Sequence, residues 1–260
     1  MKYFFIGEDK RNKYLKEMFE SENKVASDIK EAECIVTTIP FTRDNEKITG
    51  TDFLIKDLIK ILQEENKVLI SGSISLSLRD ELYARNITYY DLLQLEEVAI
   101  KNAIPTAEGA IFSAIQNSNI TLNSSNVLIL GFGRIGKVLA NMLKGFGANI
   151  YVEARKEIDL SYIEAYGYNK IHLNDLNDYL DRFDFIFNTI PNVILDETRL
   201  KLLKQNALIV DLASVPGGMD YKVAKNLGIN VDWALALPSK VAPKTAAIYL
   251  KEAIDKIMFI

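Results

Sequence analysis

The sequence predicts an α/β fold in two domains, each built on a parallel sheet. Three observations carry this expectation. Short apolar runs of strand length alternate with helix-spaced segments, the pattern of successive βαβ units. The alternation runs from the N-terminus to residue 90, breaks, and resumes near residue 120. A chain of 260 residues, 48% of them apolar, suits two ordinary domains with one core each.

In the first domain, Lys2 to Gly7 reads as a strand ending in glycine, and residues 10–20 place Tyr14, Leu15, Met18 and Phe19 on one helical face. Glu33 to Ile39 is an apolar run closed by Pro40, as expected of a buried parallel strand. An amphipathic helix is expected over 52–64 and a strand over Lys67 to Ile70, stopping at Ser71-Gly72-Ser73. A helix over 75–85 and a strand at Ile87 to Tyr90 complete the set. Residues 92–118 read as a kinked connector, helical at both ends and interrupted over Ile104 to Gly109. Pro105 disfavours helix at Ile104 and can open the next helix.

The second domain is expected to alternate in the same way. Strands are read at Asn126 to Leu130, Asn149 to Val152, Asp184 to Thr189, Ala207 to Leu212 and Ile229 to Trp233. Helices are read at Arg134 to Phe146 and over 159–166, 196–204 and 220–227. A last helix covers 244–258. The domain bounds are therefore 1–118 with the connector, 119–242, and 243–260 as a helix returning to the first domain.

The totals exclude several function classes. A net charge of −4 gives no basic footprint for nucleic acid. The single cysteine, Cys34, forms no internal disulfide, which fits a reducing cytoplasm. One histidine and one cysteine cannot furnish a metal site of the usual nitrogen and sulfur kind. Met1 to Gly7 is too short for a signal peptide, and no window approaches the ~20 apolar residues of a membrane span. His172, in a charged linker, reads as a surface residue.

The strongest local signal is Gly131-Phe132-Gly133-Arg134-Ile135-Gly136, a G-x-G-x-x-G turn that follows a strand and opens a helix. In that context Gly131 permits the tight turn, Gly133 lets backbone approach a pyrophosphate, and Gly136 lets helix pack on strand. The helix N-terminus then presents unpaired N–H groups to phosphate. The second domain is thus of the Rossmann, dinucleotide-binding type. Its next strand runs into Glu153-Ala154-Arg155-Lys156. A carboxylate there accepts from the ribose 2′-hydroxyl of NAD, and an arginine accommodates the 2′-phosphate of NADP. Glu153 and Arg155 offer both. Arg155 and Lys156, just beyond the strand, favour NADP over NAD as cofactor.

Asn188-Thr189-Ile190-Pro191 and Asp211-Leu212-Ala213-Ser214 end later strands, where open α/β sheets take ligands. They are expected to border the nicotinamide. Gly217 and Gly218 follow, and can turn sharply or approach a ligand. Lys244 and Thr245 fall in the first turn of the last helix. A lysine there opposes the helix dipole, which suggests an anionic partner such as a substrate carboxylate. Thr38, Ser71 and Gly72 end strands of the first domain and are candidates to line a substrate cleft. Thr106 and Glu108 lie on the connector.

These stretches occur in one order: Asn102 to Gly109, Gly131 to Gly136, Ala154-Arg155, Asn188 to Pro191, Asp211 to Gly218, and Val241 to Ala246. In combination, over about 100–250, they resemble the family of dipicolinate synthase A subunits of spore-forming bacteria. The first hundred residues match it loosely, and Ala236-Leu237-Pro238-Ser239 stands where that family tends to carry Gly-Leu-Pro-Gly. The resemblance implies oxidation of dihydrodipicolinate, or its hydrated tetrahydro precursor from the lysine pathway, to pyridine-2,6-dicarboxylate during sporulation, in the mother-cell cytoplasm. It implies hydride transfer to NADP, and as partner the flavoprotein-like B subunit of dipicolinate synthase. Lys244 and Thr245, with Ser71 or Ser214, are then candidates to hold a small dicarboxylate, and Glu108 or Lys244 to move the proton. Assembly as a homo-oligomer is left open. Two other readings share the fold. One is an NADP oxidoreductase resembling shikimate or methylenetetrahydrofolate dehydrogenase; the former would need a lysine–aspartate pair, with Lys56 and Lys67 as the candidate lysines. The other is a nucleotide-binding subunit without catalysis.

Overall fold

The computed structural model describes residues 1–258, in two compact units: Met1–Asn102 with Ala242–Ile260, and Ala103–Val241. The first unit carries a four-stranded sheet, β1 (Tyr3–Ile6), β2 (Cys34–Thr37), β3 (Val68–Ser71) and β4 (Tyr89–Asp91), in sequence order and parallel throughout. Parallel strands need crossovers, and α1 (Lys10–Ser21), α2 (Ile55–Glu64) and α3 (Leu76–Ala84) supply them. Alternation along each strand divides the core. Ile35 and Leu69 pack with Leu58, Leu62, Leu78 and Leu82 on one face. Cys34, Val36 and Ile70 pack with Leu15 and Phe19 on the other. There the final helix, α10 (Pro243–Met258), adds Leu250 and Ile254. Lys251 reaches from α10 to Glu22 at 2.8 Å and lies over the Phe19 ring.

The second unit carries six parallel strands: β5 (Asn126–Leu130), β6 (Asn149–Ala154), β7 (Asn169–His172), β8 (Phe185–Asn188), β9 (Leu208–Asp211) and β10 (Asn230–Trp233). Their order is β10-β9-β8-β5-β6-β7. The winding reverses at β5, which pairs with β6 on one side and β8 on the other. That reversal is the switch point at which doubly wound sheets bind ligands. Val127, Ile129, Val152 and Phe187 face α5 (Arg134–Gly145) and the alanines Ala107, Ala110 and Ala114 of α4 (Glu96–Gln116). Leu128, Leu130, Ile186 and Ile209 face Leu180, Phe183 and Leu200 on the other side.

The α/β class with parallel sheets holds, and several boundaries differ from the sequence reading. The connector is one helix with Pro105 inside it rather than two pieces, and the second unit begins at Ala103 rather than near 119. The buried alanines of α4 belong to that unit's core and hold the helix together through the missing proline N–H. Strand β7 takes the place of the linker read around His172 and pairs Ile171 with Glu153. Only two residues of β7 are buried or half-buried, so its apolar period was too weak to read. Among the described residues no helix is long and apolar enough to cross a membrane.

Candidate functional site

Leu130 ends β5, and Gly131 turns the chain at φ +92°. A side chain at Gly131 would meet Thr189 Oγ1 at 2.7 Å, and its N–H donates to the Glu153 carbonyl at 3.2 Å. The turn is therefore wedged between the ends of β6 and β8. A Cβ at Gly136 would lie 2.1 Å from the Gly131 carbonyl oxygen, so the first turn of α5 presses directly on the bend. At Gly133 nothing lies within 4 Å of the Cβ position. Gly133 is also the N-cap of α5, and no side chain accepts from the helix's first amides. Open backbone, uncapped amides and the positive end of a 12-residue helix fit a pyrophosphate. Phe132 turns its ring into the core, 6.2 Å from the Tyr166 ring, and contributes backbone only. Ile135 is half-buried against the same core, and Arg134 is exposed.

Residues at or near the strand ends form one transverse row: Ile171, Glu153, Leu130, Asn188, Asp211 and Trp233 stand in register across β7-β6-β5-β8-β9-β10. In a parallel sheet such a row shares a face, and here three of its members are polar and fully buried: Glu153, Asn188 and Asp211. Asp211 is a hub. Its Oδ1 accepts from Asn188 Nδ2 at 2.8 Å and Ala213 N at 2.9 Å, and its Oδ2 from Gly218 N at 2.8 Å and the Tyr221 hydroxyl at 2.5 Å. Burial, then the Asp211 hydrogen bond, pushes the Tyr221 phenol far up. Tyr221 stacks on Trp233 at 4.4 Å, and the indole N–H donates to the Ala213 carbonyl at 2.9 Å. Asn188 also ties down Ile190 through both amide groups, and Thr189 is bound to the Leu130 carbonyl through its N–H and hydroxyl.

The Asp211 carboxylate is spent on the protein and positions the loops after β8 and β9. Leu212, Ala213, Gly217 and Gly218 are buried, and a Cβ at Gly218 would meet Asn188 Nδ2 at 1.8 Å. Gly217 and Gly218 therefore serve the packing of the hub. Ser214 and Pro191 are exposed, and Thr189 and Ile190 half-buried, beside the glycine turn.

Glu153 is the opposite case. Its carboxyl is fully buried and neither oxygen has a hydrogen-bond partner. Burial pushes its pKa above the usual carboxylate range. Such a group does not offer an ionised acceptor to a ribose, so the exposed charges at the end of β6 are those of Arg155 and Lys156. It also has a stability consequence. The folded protein keeps Glu153 protonated at a pH where the unfolded chain has already ionised it. Its penalty is absent below the ordinary carboxylate range and grows as pH rises through that range toward the raised pKa. Glu153→Gln is expected to stabilise the protein by about 1–3 kcal/mol at neutral pH and by almost nothing near pH 4. Urea midpoints across that range check it, and a gain that does not grow with pH defeats the account.

In the first unit the structure spends two of the predicted ligands internally. Thr38, 3% exposed, donates to the Thr49 carbonyl at 2.9 Å. Ser71, 1% exposed, accepts from Thr37 Oγ1 at 2.6 Å and donates to the Thr38 carbonyl at 3.3 Å. Gly72 is buried, its Cβ position closed by Ile39 and Leu93. These residues therefore shape the strand ends, with the Thr38 and Ser71 hydroxyls engaged inside the unit. Lys244 is exposed and Thr245 half-buried in the first turn of α10. On α4, Glu108 is exposed and Thr106 half-buried, both within the second unit. Lys67, a candidate for the shikimate-type pair, is buried and donates to the Lys30 and Ala32 carbonyls. No group of three or more metal-type ligands exists among the described residues.

A six-stranded doubly wound sheet with an open glycine turn at its switch point is the architecture of a dinucleotide-binding domain. Residues 101–215 match the D-isomer specific 2-hydroxyacid dehydrogenase family, NAD binding domain. More particularly, the chain is similar to the A subunit of dipicolinate synthase. It is 40% identical over 167 residues to that protein of Bacillus subtilis (strain 168), covering 64% of this chain and 56% of the relative. The crystal structure of the dipicolinate synthase A subunit from Bacillus halodurans superposes with a TM-score of 0.90 at 28% identity, covering 98% of this chain and 97% of the other. A glyoxylate reductase of Thermococcus kodakarensis is 34% identical over 92 residues, 33% of this chain and 26% of the reductase. The matched stretches thus span little more than half the length of the first of these curated relatives and about a quarter of the second. The resemblance read from the motifs holds, and so does a nicotinamide dinucleotide as the cofactor class.

Proposed function

We propose that this chain is the A subunit of a dipicolinate synthase and oxidises dihydrodipicolinate, or its hydrated tetrahydro form, with NADP. The observation that carries the reading is the open cradle at Gly133 beneath uncapped amides of α5, in a chain similar to that subunit. When bound, the nicotinamide would supply the hydride acceptor; the oxidised ring also gives up one proton to a base, and the hydrated form a water. The α5 amides hold the pyrophosphate. Arg155 and Lys156 hold the 2′-phosphate, which the buried Glu153 does not repel while it is protonated. The hub at Asp211 keeps the loops after β8 and β9 rigid beside the nicotinamide, so binding orders little further chain. Lys244 and Thr245, with Ser214, are the remaining candidates for substrate carboxylates, and Glu108 or Lys244 for the proton. The setting is the mother-cell cytoplasm during sporulation, with the flavoprotein-like B subunit as partner.

Calorimetric titration with NADP and NAD tests the cofactor. Arg155→Ala is expected to weaken NADP about 10- to 50-fold and leave NAD unchanged. Equal affinities for the two in the unmutated protein defeat the role of Arg155. Incubating the purified chain with dihydrodipicolinate and NADP tests the chemistry. Turnover only after the B subunit is added would reassign this chain as the nucleotide-binding partner.

A further inference from the structure

The buried face of α1 repeats every four residues as Arg11, Leu15 and Phe19. The topmost position, where an apolar residue would serve packing, is an arginine whose side chain is 8% exposed. Both of its protein contacts use one nitrogen: Nη2 donates to the Ile39 carbonyl at 2.7 Å and lies 3.5 Å from Asp9 Oδ2. A guanidinium has five N–H donors, so the three on Nε and Nη1 have no acceptor among the described residues. These donors are not fully enclosed, and at 8% exposure of the side chain an anion reaching them completes the cation better than bulk water can. Asp9 completes it poorly, because its other oxygen caps α1 through Asn12 N at 2.7 Å.

The place is also one where ligands sit. Gly7 turns at φ +88° after β1, and a Cβ there would meet Thr38 Cγ2 at 2.7 Å, so the start of α1 is pressed against the end of β2. Arg11 therefore stands at the carboxyl ends of two parallel strands, the ligand edge of an open α/β sheet. The groups that sequence nominated there, Thr38 and Ser71, are consumed by internal bonds, which leaves Arg11 as the group with donors to spare. Burial also pulls the Arg11 pKa below its usual value, the mark of an incompletely paired cation.

We infer that Arg11 is a carboxylate-binding residue, its Nε–H and Nη1–H donors completing the first unit's hold on one carboxylate of a small dicarboxylate ligand. This deepens the function proposed above and rests on it only for the identity of that ligand. With Nη2 engaged, Nε–H and Nη1–H remain to donate, each to a single carboxylate oxygen, in charge-assisted hydrogen bonds.

Pyridine-2,6-dicarboxylate is the probe, titrated calorimetrically into the whole chain and two variants, with NADPH affinity measured in parallel. Arg11→Met is expected to weaken the probe about 10- to 100-fold and leave NADPH affinity unchanged. Asp9→Asn keeps the helix cap, since asparagine caps as well as aspartate, and removes the competing carboxylate. It is expected to tighten the probe about 3- to 10-fold, and it tests the inference even if Arg11→Met does not fold. Unaltered probe affinity in either folded variant overturns the role of Arg11. NADPH binding with no probe binding in the unmutated chain also overturns it, and leaves the dinucleotide reading standing. Probe binding that depends on Arg11, without NADPH binding, supports Arg11 and defeats the redox reading.

Discussion

Gly136→Ala is expected to abolish dinucleotide binding, with at least a roughly 100-fold loss of NADPH affinity from a disrupted phosphate cradle. Two effects oppose each other at this site. Within a helix, alanine is better than glycine by about 1 kcal/mol, so propensity alone predicts a more stable α5. The new Cβ would, however, lie 2.1 Å from the Gly131 carbonyl oxygen, which is backbone and cannot rotate away. Relief requires α5 to move off the bend by roughly 1 Å or more, the gap between that contact and ordinary van der Waals distance. The movement removes the amides from the phosphate position. Gly133→Ala is the informative control. Its Cβ meets nothing in the protein, so folding should be untouched, while the methyl group enters the space assigned to the pyrophosphate. Thermal midpoints and NADPH titrations of the two variants should separate: Gly136→Ala loses both stability and binding, Gly133→Ala only binding. A Gly133→Ala protein that binds NADPH normally would show that the cofactor does not rest on this turn.

Asp211→Ala is expected to cost about 3–5 kcal/mol, among the largest single-site losses available in the second unit. The substitution leaves four donors facing a fully buried void: the Asn188 amide, the Ala213 and Gly218 N–H groups and the Tyr221 hydroxyl. Asp211→Asn is no remedy at the backbone. An asparagine amide has one oxygen, and its NH2 must point toward one of the two pairs of donors. Tyr221 can rotate its hydroxyl out of the conflict, but the Gly218 N–H cannot. About 2 kcal/mol of the loss is therefore expected to remain. Trp233 is the only tryptophan of the chain and stacks on Tyr221, so its emission reports on the hub directly. Urea unfolding followed by that emission should show a lower midpoint in both variants, with a shifted folded-state spectrum. A midpoint within the error of the unmutated protein would mean that Asp211 is not the hub.

The sequence made the class of fold legible because burial on both faces of a parallel sheet writes a continuous apolar run, and crossover helices write a period near four. Leu128-Ile129-Leu130 and Ile209-Val210 carry the first signal, and Leu139 with Leu143 the second. The glycine turn was legible because its conformational demands admit few other residues. Strand β7 was not, since Asn169 and Lys170 are exposed and leave too few apolar positions to set a period. The hub was half legible. Glu153, Asn188 and Asp211 each follow an apolar run, and three strands closing on a polar residue is a signal from which only Asp211 reads as a ligand.

What the sequence by itself determined, then, is the alternation of elements, the glycine bend at the end of β5 and the cations that follow β6. These depend on neighbours along the chain or one helical turn away. The tertiary structure alone decided which polar groups remain available. Ser71 is taken by Thr37 and Thr38, Arg11 is half-paired by Ile39, and Asp211 is saturated by Asn188, Gly218 and Tyr221. Most of these partners lie beyond the reach of a local pattern. A hydrogen bond is spent or free according to what folding brings within about 3 Å of it, and hydropathic period records only the face on which a residue lies.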